Sequence, residues 1–447
     1  MSARAGTPPL GAEPQLGAGS ASLRRLLASD ERSVVVIDDD PTGTQVASDV
    51  ELVLTPERFD FGAHFDQTTR ALYVLSNSRA MPETAATAWL RTIVSRVQGG
   101  ASTSAREVAF VLRGDSTLRG HVFAEIDVLA DPESVTLFVP AFPEGGRTTS
   151  GGTQWVTIDG GRVPAADTEF ARDREFGYTS RDLRSWVAEV GAGRPCRIVA
   201  LPEIRATRGA TLQEALVHAA AGTVVIPEAE TRSDLELAAI GLLGAERAGR
   251  RVVVRTASTF AAIRAGVRPR TVTRLPVSGD GRILVVCGSH TAASSTQLRQ
   301  LSVLVGVEPI ALDGRAITGT AQRAVTRQLT TSLRRRGVAI LTTPRTYERT
   351  VDRGEHMMRS LVASVRTVRH AVDVVIAKGG ITSAEIARSA FEADVAQVLG
   401  QPAVGVALWQ LSTPDGRLVP YVAVPGNVGE ANLLADLVVA ARASKRG

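Results

Sequence analysis

The sequence has very little cysteine and very little lysine. Its two cysteines, Cys196 and Cys287, are far apart, so they form no CxxC redox or metal pair and give no disulfide framework. We therefore expect a protein of the reducing cytoplasm. Lysine occurs only at Lys378 and Lys445, and no GxxxxGK(S/T) motif is present, which excludes a P-loop NTPase.

Long hydrophobic runs are also missing. No apolar segment approaches the roughly 20 residues that a membrane-spanning helix needs, so we expect a soluble protein without a membrane partner. The first 22 residues are rich in glycine, proline, alanine and serine and lack the apolar centre of a signal peptide. Residues 1–30 are therefore predicted to be a flexible tail.

Basic residues are numerous but not clustered. The 51 lysines and arginines are nearly all arginine, they are spread over the whole chain, and the formal net charge is +5. A nucleic-acid-binding surface would concentrate them and usually interleave them with aromatic residues, which make up only 4% of this chain. The pattern favours a solvated surface and no nucleic-acid partner.

Short β-branched runs alternate with longer helical patterns. This alternation predicts an α/β fold with largely parallel sheets, whose ligands bind at the carboxyl ends of the strands. Residues 267–282 are basic, contain proline and glycine, and are typical of a linker. We predict two domains, each a largely parallel sheet flanked by helices, at 31–275 and 282–447. The predicted strands are 33–40, 71–77, 107–116, 134–140, 196–202, 222–229, 283–291, 338–343, 373–380 and 418–427, and the predicted helices of the first domain are 84–97, 181–190, 212–220 and 233–249.

Polar clusters follow three predicted strands of the first domain. Residues 38–40 are three consecutive aspartates, and charges so close need a cation, a hydrogen-bonding sugar or nearby arginines. Residues 113–120, RGDSTLRG, offer donors and acceptors that suit a hydroxylated anion. In the segment 139–152, Arg147 lies in a glycine-containing loop, where its guanidinium can bind a carboxylate through two hydrogen bonds. The alternatives are an exposed acidic turn, a helix cap and an arginine that braces its own loop.

Three strand-to-helix turns of the second domain are rich in glycine or hydroxyl groups. They are GSHT at 288–291, KGGITSAE at 378–385 and PGNVGE at 425–430. Glycines let backbone N–H groups approach an anion, so the three turns together could hold a polyphosphate. Thr382 and Glu385 have the spacing of a capping box. The six histidines show no metal-ligand spacing, and we expect a nucleotide contact only from His290.

In their order along the chain, these segments resemble the four-carbon acid sugar kinase family, which was long catalogued only as a domain of unknown function. The resemblance runs from about residue 33 to residue 440. It rests on the motifs IDDDPTGTQ, RGDSTLRG, PAFPEGGRTT with the later TEFARD, GSHT, KGGITS and PGNVG. It implies a sugar-binding N-terminal domain, a nucleotide-binding C-terminal domain, and ATP-dependent phosphorylation of a tetronate such as erythronate, threonate or an oxo relative.

Positioning and charge neutralisation supply most of the rate of phosphoryl transfer, and together with the resemblance this suggests roles for individual residues. Asp39, Asp40 or Asp115 would accept the proton of the attacking hydroxyl, and Arg119 and Arg147 would hold the sugar carboxylate, while closure of the two domains excludes water. The remaining substrate contacts would be Thr42, Gly43, Arg113, Ser116 and Thr117. The nucleotide contacts would be Ser289, His290, Thr291, Gly379, Gly380, Ile381, Thr382, Gly426 and Asn427.

Some positions depart from the family's usual pattern. Pro41 stands where a leucine is usual, Asp38 adds a third carboxylate, and residues 152–155 replace a histidine pair near a tyrosine. The identity of the acid sugar is therefore open, as is the choice between a monomer and a homodimer. Mg²⁺ would arrive with ATP and needs no protein cage, so no metal site is predicted.

Two other classes of protein stay as alternatives. A nicotinamide-dependent oxidoreductase should carry a GxGxxG motif after an early strand, and none is found. A non-catalytic sugar-acid sensor would explain the binding loops but not the aspartate cluster.

Overall fold

The computed structural model describes residues 20–67, 71–277, 279–312, 319–345 and 351–444. The strands are Ser33–Asp38 (β1), Val50–Val53 (β2), Ala71–Leu75 (β3), Val108–Arg113 (β4), Val135–Val139 (β5), Arg147–Ser150 (β6), Thr153–Ile158 (β7), Gly161–Pro164 (β8), Cys196–Val199 (β9), Val224–Pro227 (β10), Val252–Thr256 (β11), Ile283–Cys287 (β12), Ile310–Ala311 (β13), Val338–Thr342 (β14), Val374–Lys378 (β15), Val395–Ala403 (β16), Val406–Ser412 (β17) and Leu418–Val424 (β18).

Helices lie between most of these strands. They are Ser20–Ala28 (α1), Phe61–Phe65 (α2), Glu83–Thr103 (α3), Val122–Leu129 (α4), Leu183–Val190 (α5), Leu201–Ala206 (α6), Ala210–Val217 (α7), Arg232–Arg247 (α8), Ser258–Arg264 (α9), Ala292–Val305 (α10), Gly319–Arg336 (α11), Val351–Val368 (α12), Gly380–Glu385 (α13) and Leu433–Ser444 (α14). No helix of the described ranges is long and apolar enough to cross a membrane.

Several strands in the middle of the sheet are apolar and buried along most of their length. In β1, the four residues from Val34 to Ile37 are at most 5% exposed, and the strand pairs in parallel with β3 on one side and β4 on the other. Such continuous β-branched runs are typical of parallel strands buried on both faces. The alternation of such runs with helical patterns predicted an α/β fold, and the fold class is confirmed.

Fifteen strands form one sheet, in the order β13-β14-β12-β15-β18-β17-β16-β2-β3-β1-β4-β11-β5-β10-β9. In this order, the strands β2-β3-β1-β4-β11-β5-β10-β9 run parallel to one another, and so do the strands β13-β14-β12-β15-β18. Strands β16 and β17 are antiparallel and join the two parallel parts edge to edge. Strands β6 to β8 make a separate small sheet.

Twist brings the two sets of carboxyl ends toward one another. Because of the antiparallel pairings between them, β1 and β15 would run in opposite directions in a flat sheet. Six steps from strand to strand separate the two. A twist of about 20° to 25° per step accumulates to roughly 120° to 150°, which turns the strands back toward the same direction. The turns after β1 and β15 therefore meet at one place.

The end of the predicted tail is folded. Residues 1–19 lie outside the described residues, whereas Ser20–Ala28 is helix α1, which packs on α8 with Leu23 only 6% exposed.

Trp409 of β17 makes a buried contact between the two halves of the sheet. Its Nε1 donates a hydrogen bond of 2.8 Å to Oγ1 of Thr44, which follows β1, and its ring stacks on Tyr421 with centroids 5.6 Å apart. Trp409 and Thr44 are both 0% exposed.

We expect Trp409→Phe to lower the free energy of unfolding by about 2 kcal/mol, because the change leaves a cavity and a buried hydroxyl without its donor. Chemical denaturation would measure the loss. The matched control is Trp155→Phe, which removes a half-buried indole whose Nε1 donates to the carbonyl of Ser150 in the small sheet. Equal losses in the two variants would contradict a special role of Trp409.

Candidate functional site

A cleft of about 460 Å³ lies where turns from the two halves meet. We call it the central cleft. The first half lines it with Asp40, Thr42, Gln45, Arg79, Arg113, Asp115, Ser116, Arg119, Phe142, Arg147, Glu169 and Phe170, and the second half lines it with Thr291, Gly380, Pro425, Gly426, Asn427 and Val428.

The first aspartate of the acidic run, Asp38, is buried beneath the cleft. Arg113 at the end of the neighbouring β4 pairs with it, Nη1 to Oδ1, at 2.8 Å. Burial raises the pKa of Asp38 to about 6, although the charge of Arg113 opposes the shift. A Cβ on Gly43 would lie 1.8 Å from Oδ2 of Asp38, so glycine is required there for close packing on the carboxylate. Asp38 and Gly43 thus support the site from below.

Asp39 is held between two arginines, with Nη1 of a third, Arg113, 3.8 Å from its Oδ1, and it does not line the central cleft. Arg79 donates to it through Nη2 and Nε, and Nη2 of Arg255 in β11 lies 3.2 Å from its Oδ2. Arg255 is 2% exposed at its side chain and also pairs with Glu125. Asp39 is 3% exposed and so anchors cations rather than meeting a ligand.

Asp40 is the aspartate of this run that faces the central cleft. Its Oδ1 accepts from the backbone N–H of Thr42 at 2.8 Å and from the Thr42 hydroxyl. Burial raises its pKa, but the charges of Arg79 and Arg113 outweigh burial and hold the pKa below its usual value. A Cβ on Gly380 would lie 2.7 Å from Oδ2 of Asp40. Here an ionised carboxylate from one half meets the glycine turn of the other.

Asp115 and Arg119 form an ion pair in the cleft wall. Nε of Arg119 lies 2.7 Å from Oδ2 of Asp115, which also accepts from the hydroxyl of Thr117. The pKa of Asp115 is lowered despite burial, because the charges of Arg119 and Arg79 outweigh desolvation. Arg119 also lies 3.5 Å from Asp173. Its charge is therefore already shared between two carboxylates.

Arg147 is a cation without such a partner. Among the described residues, no carboxylate oxygen lies within 4 Å of its guanidinium, whose Nη1 donates to the carbonyl of Gly145 and whose Nε is buried without a hydrogen bond. Burial lowers the pKa of Arg147, the nearby charge of Asp115 opposes this shift, and the charge of Arg119 adds to it. Arginine stays protonated in proteins, so the cleft holds a positive charge without a direct carboxylate partner, and such a charge attracts an anion.

The turn after β12 is bound to the turn after β18 by hydroxyl groups. Oγ1 of Thr291 donates to the carbonyl of Gly426 at 2.7 Å, and the hydroxyl of Ser294 donates to Oγ of Ser289 at 2.8 Å and to the same carbonyl at 3.0 Å. A Cβ on Gly426 would lie 2.7 Å from Oγ of Ser289. Thr291 also caps α10 by accepting from the backbone N–H of Ser294. These contacts hold a helix N-terminus beside the cleft.

Lys378 fixes the same turn from inside the protein. Its ammonium donates to the carbonyls of Pro425 at 2.7 Å and Val428 at 2.9 Å, and its own carbonyl accepts from the backbone N–H groups of Gly288 and Ser289. Lys378 is 0% exposed, and burial lowers its pKa to about 8. One residue thus connects all three glycine-containing turns.

A second cavity of about 640 Å³ lies beside these turns. We call it the side cavity. Its polar end is formed by the turns after β12 and β15, and Nε2 of His290 lies 3.2 Å from Oγ1 of Thr343 there. Its wall includes Asn77, Ala80, Met81, His290, Met357, Met358, Ile381 and Thr382.

The predicted capping box is wrong. Helix α13 begins at Gly380, its N-cap is Gly379 with φ of 115°, and Thr382 is its third residue with no side-chain capping bond. A Cβ on Gly288 would lie 2.1 Å from Oγ1 of Thr382, so this hydroxyl packs against the neighbouring turn instead.

The structure divides the predicted site residues into three sets. Those in the central cleft are Asp40, Thr42, Arg113, Asp115, Ser116, Arg119, Arg147, Thr291, Gly380, Gly426 and Asn427. Those in the side cavity are His290, Ile381 and Thr382. Those that line neither are Asp39, Gly43, Thr117, Ser289 and Gly379.

Sequence reasoning missed Arg79, Arg255 and Lys378. Arg79 lies in a turn without a glycine pattern, and Arg255 lies inside a β-branched run, so neither differs visibly from the many other arginines. Lys378 carried a usable signal, because it is one of two lysines in the chain and directly precedes two glycines.

The fold and site define an α/β protein in which a polar, sugar-sized cleft meets glycine-containing turns suited to phosphate. Models of known families agree: a sugar-binding N-terminal domain matches residues 34–264, and a nucleotide-binding C-terminal domain matches residues 284–434. The chain belongs to the four-carbon acid sugar kinase family.

Two characterised relatives are similar to this chain. It is 30% identical to the D-erythronate kinase of Heliobacterium modesticaldum over 287 residues, which is 60% of each chain. It is 26% identical to the D-threonate kinase of Cupriavidus necator over 304 residues, 65% of this chain and 69% of the relative. The chain thus spans three fifths of the length of the erythronate kinase that it matches.

Two solved structures share the fold. A Haemophilus influenzae protein has a TM-score of 0.63 at 17% identity and covers 92% of this chain and 99% of its own. A Salmonella typhimurium LT2 protein has a TM-score of 0.67 at 18% identity, with 92% and 98% covered.

We expect the stabilising effect of Lys378 to grow with pH. Its pKa is about 8 in the folded chain and 10.5 in a model peptide, so between these values the unfolded chain binds a proton that the folded chain has lost. The free energy of unfolding of the native chain relative to Lys378→Met should therefore rise by roughly 3 kcal/mol from below pH 8 to pH 10.5. Denaturation of both proteins across this range would measure it, and a difference that does not change with pH would contradict it.

Proposed function

We propose that this chain transfers the γ-phosphoryl group of ATP to a hydroxyl of a four-carbon acid sugar, namely erythronate, threonate or an oxo-tetronate. The observation that carries the proposal is the meeting of Asp40 and Gly380, one from each half, at the central cleft. A phosphoryl acceptor and its donor must come together at such a point. The similarity to an erythronate kinase and a threonate kinase supports the same chemistry.

The two halves would divide the substrates between them. Residues 31–275 would bind the acid sugar, and residues 282–447 would bind the nucleotide. The side cavity suits the base and ribose, because Met357, Met358 and Ile381 offer apolar surface there. The phosphates would run past Thr382 and Gly380 into the central cleft, where Gly426, Asn427 and the N-terminus of α10 would provide backbone N–H groups.

Arg147 would take the carboxylate of the sugar acid. It is the cleft arginine with no carboxylate partner among the described residues, whereas Arg119 is already paired with Asp115 and Asp173. Arg119 would then orient Asp115 and contact the substrate through its remaining donors. Ser116 lies beside them, with its carbonyl held by Nε2 of Gln154 at 2.8 Å.

Asp40 would accept the proton of the attacking hydroxyl. Its pKa is below the usual value, so it is ionised at neutral pH, and its Oδ2 faces the turn that would carry the phosphates. Phosphoryl transfer depends mainly on positioning and on neutralising charge, so a weak base in the correct place is sufficient.

Mg²⁺ fits this arrangement as a companion of ATP. No group of three or more ligating side chains occurs in the described part of the chain, which suits an ion held mainly by phosphate oxygens and water. Asp115 is the cleft carboxylate that could add an oxygen. The ion would neutralise phosphate charge.

We expect Asp40→Asn to lower kcat by about 10² to 10⁴, because the amide cannot accept the proton. ATP consumption with Mg²⁺ against erythronate, threonate and their oxo forms would measure it. Asp131→Asn is the matched control, since Asp131 forms an exposed ion pair with Arg251. Turnover of no acid by a wild-type chain that binds ATP would place the substrate outside this panel, and absent ATP binding would overturn the kinase proposal.

We expect Arg147→Gln to raise KM for the acid by about 10² or more, since a charge-assisted bond to a carboxylate is worth about 1.5 to 3 kcal/mol and a forked pair makes two of them. The Kd for ATP should not change. Arg162→Gln removes an exposed arginine paired with Glu230 and is the control. An unchanged KM would assign the carboxylate to another group.

A further inference from the structure

Arg79 lies on the wall between the two cavities. Its guanidinium lines the central cleft, while Asn77, Ala80 and Met81 of the same turn line the side cavity. Nothing in the sequence motifs singled out this turn, which follows β3 and reverses at Asn77 with φ of 53°. It is nevertheless the segment of the first half that reaches both the proposed sugar cleft and the proposed nucleotide cavity.

The position of Arg79 is fixed by a chain of buried charges. Glu125 pairs with Arg255 and also accepts from the hydroxyl of Ser78, next to Arg79 in the turn. Arg255 pairs with Asp39, and Asp39 takes Nη2 and Nε of Arg79. The backbone N–H of Arg79 also donates to the carbonyl of Asp39 at 3.3 Å. These alternating charges hold a long side chain in one orientation before any ligand binds.

The held orientation leaves Nη1 of Arg79 directed toward Asp40. Nη1 is 3.7 Å from Oδ2 of Asp40, too long for a direct hydrogen bond, and this is the carboxylate oxygen that faces Gly380. The other cleft arginines are engaged differently: Arg113 pairs with Asp38 and donates to the backbone carbonyl of Asp40 at 3.3 Å, Arg119 pairs with Asp115, and Arg147 would hold the sugar carboxylate. Among the described residues lining the cleft, Arg79 is thus the arginine whose guanidinium lies within 4 Å of the Asp40 carboxylate.

We propose that Arg79 is a catalytic residue that binds the phosphoryl group during its transfer from ATP to the acid sugar. This inference rests on the proposed function and adds a cation that the family motifs in this sequence do not name. As the O–P bond to the sugar hydroxyl forms and the bond to ADP breaks, charge is spread over the equatorial phosphoryl oxygens, and a fixed guanidinium neutralises it without reorganisation. The hydroxyl proton goes to Asp40.

The test is tightening of ADP binding by aluminium fluoride, which imitates the phosphoryl group in transfer. ADP, Mg²⁺ and each acid of the panel would be titrated into the full-length chain with and without fluoride and aluminium. We expect Arg79→Gln to bind ADP like the wild type but to lose at least 100-fold of the fluoride-dependent tightening. Arg162→Gln should retain it. In turnover, kcat of Arg79→Gln should fall by about 10³ or more.

A pH profile separates this role from an indirect effect on the base. Loss of the Arg79 charge also raises the pKa of Asp40, because Arg79 is the largest of the charges that lower it. If that were the whole effect, kcat of Arg79→Gln would return to the wild-type value at pH 9, where Asp40 is ionised in both proteins. We expect the loss to persist at pH 9, and full recovery would overturn the proposal.

The remaining outcomes also decide between the proposals. Equal fluoride-dependent tightening in wild type and Arg79→Gln would overturn the role of Arg79 and leave the kinase proposal standing. A wild-type chain that binds neither ADP nor ATP would overturn the proposed function and this inference with it. If Arg79→Gln does not fold, Arg79→Lys keeps a positive charge beside Asp39. A lysine has no planar guanidinium and cannot contact both Asp39 and the phosphoryl oxygens. The fluoride-dependent tightening of ADP binding should therefore also fall in Arg79→Lys, by at least 10-fold.

Discussion

The structure depends on three consecutive carboxylates at the end of one central strand, of which the first two are buried and the third lines the cleft. Removing a carboxylate from water costs several kcal/mol, and in this chain the cost is offset by arginines that arrive from elsewhere in the fold. Arg113 comes from the adjacent strand β4, Arg79 from the turn after β3, and Arg255 from β11, one strand further away. The strand order β3-β1-β4-β11 is what brings these cations to a single acidic turn.

This arrangement gives adjacent aspartates different tasks. Asp38 points into the protein toward Arg113, Asp39 anchors two arginines, and Asp40 alone of the three lines the central cleft. Each of the first two is buried and paired, so a ligand meets only the third. Asp38 and Asp39 thus hold the turn from inside the protein, which is why it can place the ionised carboxylate of Asp40 beside the glycine turn after β15.

Sequence reasoning predicted the parallel strands because continuous valine and isoleucine runs, as in β1 and β15, have few other interpretations. It located the glycine turns for the same reason, since turns between such strands and helices recur at the carboxyl ends. It could not predict that Asp40 lines the central cleft while Asp39 lies behind it, because three identical residues in a row carry no periodic signal. Arg255 was hidden as well, since its partner Asp39 is 216 positions away and only the strand order brings the two together.

The hairpin of β16 and β17 was harder to predict. Strand β16 is half-exposed over much of its length and contains Gly400, with φ of 136°, and Pro402, so it lacks the uniform apolar run that identified its neighbours. Its role is nevertheless large, because its pairing with β2 makes one sheet of the two parallel parts. The linker in the sequence suggests a domain boundary, but backbone hydrogen bonds between β2 and β16 connect the parts of the chain on its two sides.

That ladder of hydrogen bonds limits how the two halves of the protein can move relative to one another. Two domains joined by a single flexible peptide can rotate apart about that peptide. Here such a rotation would break the backbone hydrogen bonds between β2 and β16 and the buried hydrogen bond from Trp409 to Thr44. A deformation that keeps the ladder is torsional: a sheet that wound or unwound slightly about an axis across its strands would carry the turns after β1 and β15 toward or away from each other. Residues in the middle of β16 and β17, far from the cleft, would then affect how wide the cleft opens.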